Sequence, residues 1–557
     1  MKNTTMKPVL LLSAAFLVSL AAAARNRVIA YGWDVLRSSP EDFLENAEAW
    51  DKVPVDGVVF TLNAPNPAGG MFMHRRVPVD KGWTYDAFAP QIPVLRKLVS
   101  RRNLSHSMAG AWFQGYNAKR RIDWRDDAAW ANFASNMGVL ARIVRESGLE
   151  GICIDNEDYG KCRQFYRKDG ELPYGELRAL ARRRGREVFA PVFREKPDIA
   201  LLAFWFLSYD ADYLVAEDLT AKQRENGDLW PAFIEGMLEV MPEGATLHDG
   251  NEKAYYYRAE TGDYFRSAVR IISRFAELLE PQFRDKYRAR VRVSAGFYMD
   301  NYVQKDPSNY HYLPPTKGGT QVDRFCDNYL QADEACGGYI WFYGERHPWI
   351  DWKGGTDKPW RRAPTWNDAM PGLYDIFAAH RDPVSFAAAK SAAIDAAVAT
   401  NLIANGNCAI APNGKAGFRK NKLPKGFDKW MGKNEKGSVG TDTSFGRKDS
   451  FSICMDHVQR GCVIPRVNGL APGQSVLFRV YAKGAKPKGT AYFTENKKWR
   501  FPLGNVRVKF DKPGADGWCA GYAVVTVPHG ADGFAVQLGG NEDGKIWYDD
   551  IGAYLLR

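Results

Sequence analysis

Along the first two thirds of the chain, short apolar runs ending in polar or aromatic residues alternate with longer stretches whose apolar positions recur every three or four residues. The runs are RVIAYGWD at 27–34, GVVFTLNA at 57–64, SMAGAWFQG at 107–115, GICIDNE at 151–157, IALLAFWFLS at 199–208, ATLHDGNE at 245–252, VRVSAGFYMD at 291–300 and GGYIWFYGE at 337–345. Continuous apolar runs of strand length are the mark of strands buried on both faces. The stretches between them, among them PEDFLENAEAW at 40–50, DDAAWANFASNMGVLARIVRES at 126–147 and FRSAVRIISRFAELLEP at 265–281, carry the period of an amphipathic helix. Eight strand–helix units in succession predict a (β/α)8 TIM barrel. A doubly wound open sheet shares the alternation, but the sequence lacks the glycine-rich phosphate turn that usually accompanies one.

The pattern then changes. An alanine-rich connector, DPVSFAAAKSAAIDAAVATN, is expected to be helical in part, and beyond it strand runs such as SVLFRVYAKG at 475–484, AGYAVVTVPHG at 520–530, GFAVQLGG at 533–540 and IWYDDIGAYLL at 546–556 lie between Gly, Pro, Asn and Lys turns. Alternation with that punctuation predicts an antiparallel β-sandwich. The expected division is therefore a barrel at 25–381, a connector at 382–400 and an all-β domain at 401–557. A chain of 557 residues has room for both.

Charge sharpens the division. The back part, from residue 401, holds 24 Lys+Arg against 13 Asp+Glu, whereas residues 1–400 balance at 52 of each, so the whole formal charge of +11 lies at the back. A basic module suits an acidic polymer, such as a sulfated or uronic polysaccharide, or serves solubility alone. At the start, two lysines precede an apolar stretch and an alanine run, the pattern of a secretory signal peptide at 1–24 whose apolar part is shorter than a bilayer needs. A secreted, extracytoplasmic protein with no membrane anchor after cleavage is expected, which makes nucleic acid a poor choice of partner. Eight cysteines fall four and four between the two parts, and export would permit disulfides within each. No zinc spacing is present.

In a barrel of this kind the chemistry gathers where strands end. The strand ends supply Trp33 and Asp34, Asn63, Gln114, Asp155 and Glu157, Tyr209, Asp249 and Glu252, Asp300, and Tyr343 and Glu345, with Tyr255 just beyond Glu252 and Trp349 beyond Glu345. Acids mixed with aromatics are what glycoside cleavage uses: a protonated carboxyl for the departing oxygen, an ionised one to attack or to activate water, and flat rings for the sugar. Asp155 and Glu157 stand two apart, hence on one side of a strand, and each raises the other's proton affinity. Glu157 is the expected proton donor; one of the two could instead hold a loop. For the second carboxylate the order of preference is Glu252, Glu345, Asp300, each of which could alternatively bond a sugar hydroxyl or pair with Arg346. Trp33 and Trp349 are the favoured sugar platforms, with Trp112 behind them and Trp205 and Trp341 expected to fill the barrel; His248 is a candidate rim residue.

Two resemblances bear on this. GLEGICIDNE resembles the fourth strand of family 18 chitinase-type enzymes, matching their DGxDxDxE frame at Gly151, Asp155 and Glu157 and departing at Glu150 and Cys153. It also resembles the Asn-Glu strand end of clan A retaining hydrolases at Asn156 and Glu157, although strand seven ends in Asp300 where that clan has Glu. Both resemblances imply Glu157 as proton donor. The frame NLIANGNCAIAP, with Trp430, VNGLAPGQSVLFRVYAKG and IWYDDIGAYLL, resembles CenC-like carbohydrate-binding modules across 401–557, which implies a jelly-roll sandwich that binds polysaccharide. Such modules often hold a structural calcium; Asn407 and Cys408 replace the usual acidic residue, leaving Asp549 and Asp550 as candidate ligands or as ordinary edge-strand acids. No cofactor is expected for catalysis. The reading is a secreted glycoside hydrolase with an appended carbohydrate-binding module; a non-catalytic sugar-binding surface protein and a polysaccharide lyase are the alternatives.

Overall fold

The computed structural model describes residues 26–65, 71–74, 77, 82–113, 121–157, 163–208, 212–256, 267–354, 359–396, 399–410, 416–484, 486–541 and 543–556. The signal-like segment at 1–24, Gln114, Tyr209 and the side chain of Tyr255 lie outside them.

The eight front runs become nine parallel strands: β1 (Arg27–Ala30), β2 (Gly57–Phe60), β3 (Met108–Trp112), β4 (Gly151–Asp155), β5 (Ala200–Ala203), β6 (Thr246–Asp249), β7 (Val291–Val293), β8 (Ala295–Tyr298) and β9 (Tyr339–Tyr343). Their order is β8-β9-β1-β2-β3-β4-β5-β6-β7. The two ends of that sheet, β7 and β8, are successive stretches of one run separated by Ser294. Val291–Val293 pairs with β6, and Ala295–Tyr298 pairs with β9. Ser294 spans the change: its N–H donates to the Asp249 carbonyl at 2.8 Å and its hydroxyl accepts the Tyr339 N–H at 3.0 Å. The result is a nearly closed parallel barrel sheet within a mixed α/β chain.

Alternation along each strand separates two cores. Val28, Ala30, Ile152, Ile154, Leu201, Ala203, Ile340 and Phe342 face the helical layer in one large cluster. Their neighbours Ile29, Tyr31, Cys153, Leu202, Phe204, Tyr339 and Trp341 fill the barrel interior in another. The helices follow local signals. Asp127–Ser147 starts at Asp126, whose carboxylate accepts the Ala129 N–H at 3.0 Å, and stops at Gly148, which has φ 79°. The alanine-rich connector is helical over Pro383–Ala396.

Behind it, two antiparallel sheets of seven and six strands enclose a separate core that includes Ile453, Val476 and Phe478 from one sheet and Val463, Phe493 and Phe534 from the other. The four runs read from alternation appear as Ser475–Gly484, Cys519–Thr526, Gly533–Gly539 and Lys545–Leu555. Strands such as Phe427–Met431 and Gly461–Asn468 had no such reading, because lysine, glycine and proline interrupt their alternation. The seven described cysteines are free thiols, and six of them are buried. Among the described residues no helix is long and apolar enough to cross a membrane.

Candidate active site

A cavity of about 490 Å³ opens at the C-terminal ends of the barrel strands. Parity sets its floor. Continuing the interior series Ile29, Cys153 and Leu202 by two residues puts Tyr31, Asp155 and Phe204 at its lining, and Glu157 follows Asp155 on the same side. Four carboxylates line it: Asp155, Glu157, Glu252 and Glu345.

The Glu157 and Glu252 carboxyl groups stand close enough that Glu157, when protonated, donates its O–H to Glu252. Burial pushes both well above the usual carboxylate range, and the Asp155 charge adds to the shift in each; Glu345 adds a smaller push to Glu157. Asp155 also accepts the Glu157 N–H at 3.1 Å, and Asn156 donates to the Trp205 carbonyl at 2.9 Å, which fixes the turn after β4. Glu252 arrives from a short 3₁₀ helix, Glu252–Tyr256, entered through Asn251 at φ 49°.

On the opposite wall, Trp33 donates its indole N–H to the Tyr343 hydroxyl at 2.8 Å, and that hydroxyl donates to Glu345 at 3.0 Å. Two glycines permit this closeness. Gly32, at φ 132°, lies so near Gly344 that a Cβ would stand 2.4 Å from the Gly344 carbonyl oxygen, while a Cβ on Gly344 would enter the Trp366 ring. Tyr298 stacks on Tyr343 at 5.9 Å between centroids, and its edge meets His311 at 5.0 Å.

The other acids expected at the rim sit beneath the cavity instead. Asp249 is fully buried; it follows Leu247 onto the helix-facing side of β6 and accepts the Leu207 N–H, the Ser208 hydroxyl and the Asn251 N–H, thereby bending the chain that carries Glu252. Asp300, 1% exposed, accepts the Glu345 N–H at 2.8 Å and faces the Arg346 guanidinium at 3.2 Å; burial pushes it up to about 6. Asp34, also 1% exposed and raised to about 6 by burial, accepts from the Trp349 backbone and the Trp352 indole. Trp349, expected as a sugar platform, is wholly buried with its indole on the Tyr31 carbonyl, and Asn63 is buried against Gln91. His248, expected at the rim, lies inside the barrel beside Thr246 and Tyr339, where burial and the Arg292 and Arg27 charges push it down to about 3.

Trp33, Trp112 and Tyr343 do line the cavity, as do Tyr31, Leu36, Phe204, Tyr298, Tyr310 and His311, to which sequence reasoning assigned no role. Tyr31 and Phe204 were within reach of the interior parity; Tyr310 and His311 come from an irregular loop that offers none. In the sandwich, Asp549 accepts the Arg447 N–H at 2.7 Å, and Asp550 pairs with the Arg447 guanidinium at 2.8 Å with Lys448 nearby. A divalent cation at this pair would compete with those cations.

No protein-family model matches the chain. No curated protein matches it either. Among solved structures it is similar to one described as a glycoside hydrolase, with 11% identity, a TM-score of 0.34 and 92% of each chain covered. It is similar to a GH18 chitinase from Pseudoalteromonas aurantia over 57% of this chain and 93% of that one, at 15% identity and a TM-score of 0.28. It spans about a quarter of the length, 26%, of the CBM22-1–GH10 modules of a Clostridium thermocellum endo-1,4-beta-D-xylanase, at 11% identity and a TM-score of 0.19 over 23% of this chain.

Proposed function

We propose that the chain is a glycoside hydrolase in which Glu157 protonates the departing glycosidic oxygen. The observation that carries this is the contact between the Glu157 and Glu252 carboxyls, both raised by burial, in an aromatic-lined cavity at the strand ends. A carboxyl that keeps its proton near neutral pH, held where a sugar can stack, is what a general acid requires.

The hydrogen bond bears on the second role. Two carboxyls in direct contact stand closer than the roughly 5 to 5.5 Å of a retaining pair or the 6.5 to 9.5 Å of an inverting pair. Glu252 therefore serves in this proposal to hold the Glu157 proton. Glu345, held by the Tyr343 hydroxyl and by Asp300 beneath its backbone, is the carboxylate that attacks or activates water. Trp33, Trp112 and Tyr298 offer rings to the sugar. No step calls on a cofactor.

The finer architecture belongs to the same proposal: β7 and β8 count as one strand of a (β/α)8 barrel at 25–381, and the sandwich at 401–557 is a jelly-roll carbohydrate-binding module that the connector at 382–400 joins to it. Secretion, with cleavage near residue 24, would bring the basic module to an anionic polysaccharide. The test is reducing-end release by the purified chain on neutral, amino, sulfated and uronic polysaccharides. Release on one class supports the hydrolase; binding of glycans without release on any class favours the sugar-binding protein, and unsaturated products favour the lyase.

A further inference from the structure

The cavity wall combines two cation-seeking features. Asp155, Glu157, Glu252 and Glu345 line it; burial holds Glu157 and Glu252 toward their protonated forms, and Asp155 and Glu345 leave the wall with net negative charge at neutral pH. Around them stand the rings of Trp33, Trp112, Tyr298 and Tyr343. Carboxylates attract ammonium groups by charge, and aromatic rings beside them add to that attraction. No lysine or arginine lines the cavity among the described residues. Among the described residues, the Arg37 guanidinium rests over the Trp33 ring at 4.5 Å, and the charge of the exposed Lys253 acts on Glu252 without lining the cavity. Arg346 is turned toward Asp300 beneath the Glu345 loop. His311 also lines the cavity, and its Nδ1 meets the Asn301 side-chain oxygen at 3.0 Å.

From the four carboxylates and the rings between them, we infer that the cavity accepts glycans bearing free, protonated amino groups and turns away uronic and sulfated ones. The inference rests on the cavity being a sugar site, the reading proposed above. It separates the two halves of the chain chemically: the basic back part attracts an anionic polymer, while the barrel mouth takes a glycan of the opposite charge. A carboxylate or sulfate brought beside Asp155 and Glu345 meets like charges in a partly desolvated space, which is where such repulsion is strongest.

The test uses the full chain and three β-1,4-linked oligomers of equal length, made of glucose, of glucosamine and of glucuronic acid, with binding read from tryptophan fluorescence and confirmed by its loss in Trp33→Phe. At about 20 mM salt the glucosamine oligomer should bind at least about tenfold more tightly than the glucose oligomer, and the glucuronic acid oligomer more weakly than either. The glucosamine advantage should shrink several-fold at about 200 mM salt and in Glu345→Gln. Equal binding of the three, tighter binding of the glucuronic acid oligomer, or an advantage untouched by Glu345→Gln would overturn it. The readout needs no turnover. If the glucosamine oligomer binds as described and no glycan is cleaved, the hydrolase reading fails and this inference stands; if glycans are cleaved but uronic ones bind best, this inference fails alone.

Discussion

Replacing Glu252 by glutamine keeps the shape and one hydrogen-bonding oxygen beside Glu157 but removes the charge. In the parent, Glu157 holds its proton because it is buried, because Glu252 and Asp155 repel a second negative charge, and because its O–H has Glu252 as acceptor. Two unit charges about 4 Å apart interact by about 4 kcal/mol at an effective dielectric constant of about 20, and one pKa unit corresponds to about 1.4 kcal/mol, so the Glu252 charge raises Glu157 by at most about three units. Burial and Asp155 persist in the variant, and solvent reaching an open cavity screens the charge pair. The alkaline limb of kcat/KM, which reports the acid in the free enzyme, should therefore move down by about one to two units. The assay is a pH profile of kcat/KM for parent and Glu252→Gln on whichever glycan the panel identifies.

Stability should move with it. Both carboxyls are raised in the folded chain, so folding takes up protons between the ordinary carboxylate pKa and the raised one, and stability falls as pH rises through that window. Glu252→Gln should accordingly melt higher than the parent at about pH 8 and near the parent at about pH 4. An alkaline limb that stays put, or one that moves up, would refute the shared-proton reasoning.

Asp34 and Asp300, raised from 3.8 to about 6 and each 1% exposed, follow the same sign: each ionised form costs about 3 kcal/mol above pH 6, so Asp300→Asn should flatten the fall in stability between about pH 4 and pH 6, read from denaturant midpoints, while lowering kcat because the Arg346 guanidinium loses its charged partner beneath the Glu345 loop. Tyr343→Phe keeps the ring stack with Tyr298 but deprives the Trp33 indole of its acceptor and Glu345 of its donor, which should cost about 1 kcal/mol of stability and reduce kcat by roughly tenfold or more. Gly32→Ala drives a methyl into the Gly344 carbonyl at a positive φ and should destabilise by about 2 kcal/mol or more in thermal unfolding.

How much of this could be read from one dimension depends on whether the signal was periodic. The barrel strands were legible because strands buried on both faces are continuously apolar, and Asp155 and Glu157 because a strand keeps its period for two residues past its end. The division of the other rim acids was not. Asp249 stands one residue from the interior series, on the helix-facing side, and Asp34 and Asp300 lie in short helices where strand parity has already lapsed. Their burial follows from backbone N–H groups of distant loops that need acceptors, Trp349 for Asp34 and Glu345 for Asp300, and no local pattern records such partners. The contact between Glu157 and Glu252 is likewise a product of the turn at Asn251, whose left-handed backbone brings a residue beyond β6 across to the end of β4. Trp349 looked like a platform from its place beyond β9, and it is core because its indole finds the Tyr31 carbonyl inside the fold.

The central claim, that Glu157 delivers a proton to the leaving oxygen, is tested most directly by the dependence on the leaving group. Glu157→Gln and the parent are compared on the natural glycan and on a dinitrophenyl glycoside of the same sugar, whose phenolate departs without protonation. The variant should lose about two to four orders of magnitude in kcat/KM on the glycan and little on the dinitrophenyl glycoside. Equal losses on both substrates, or none on the glycan, would contradict it.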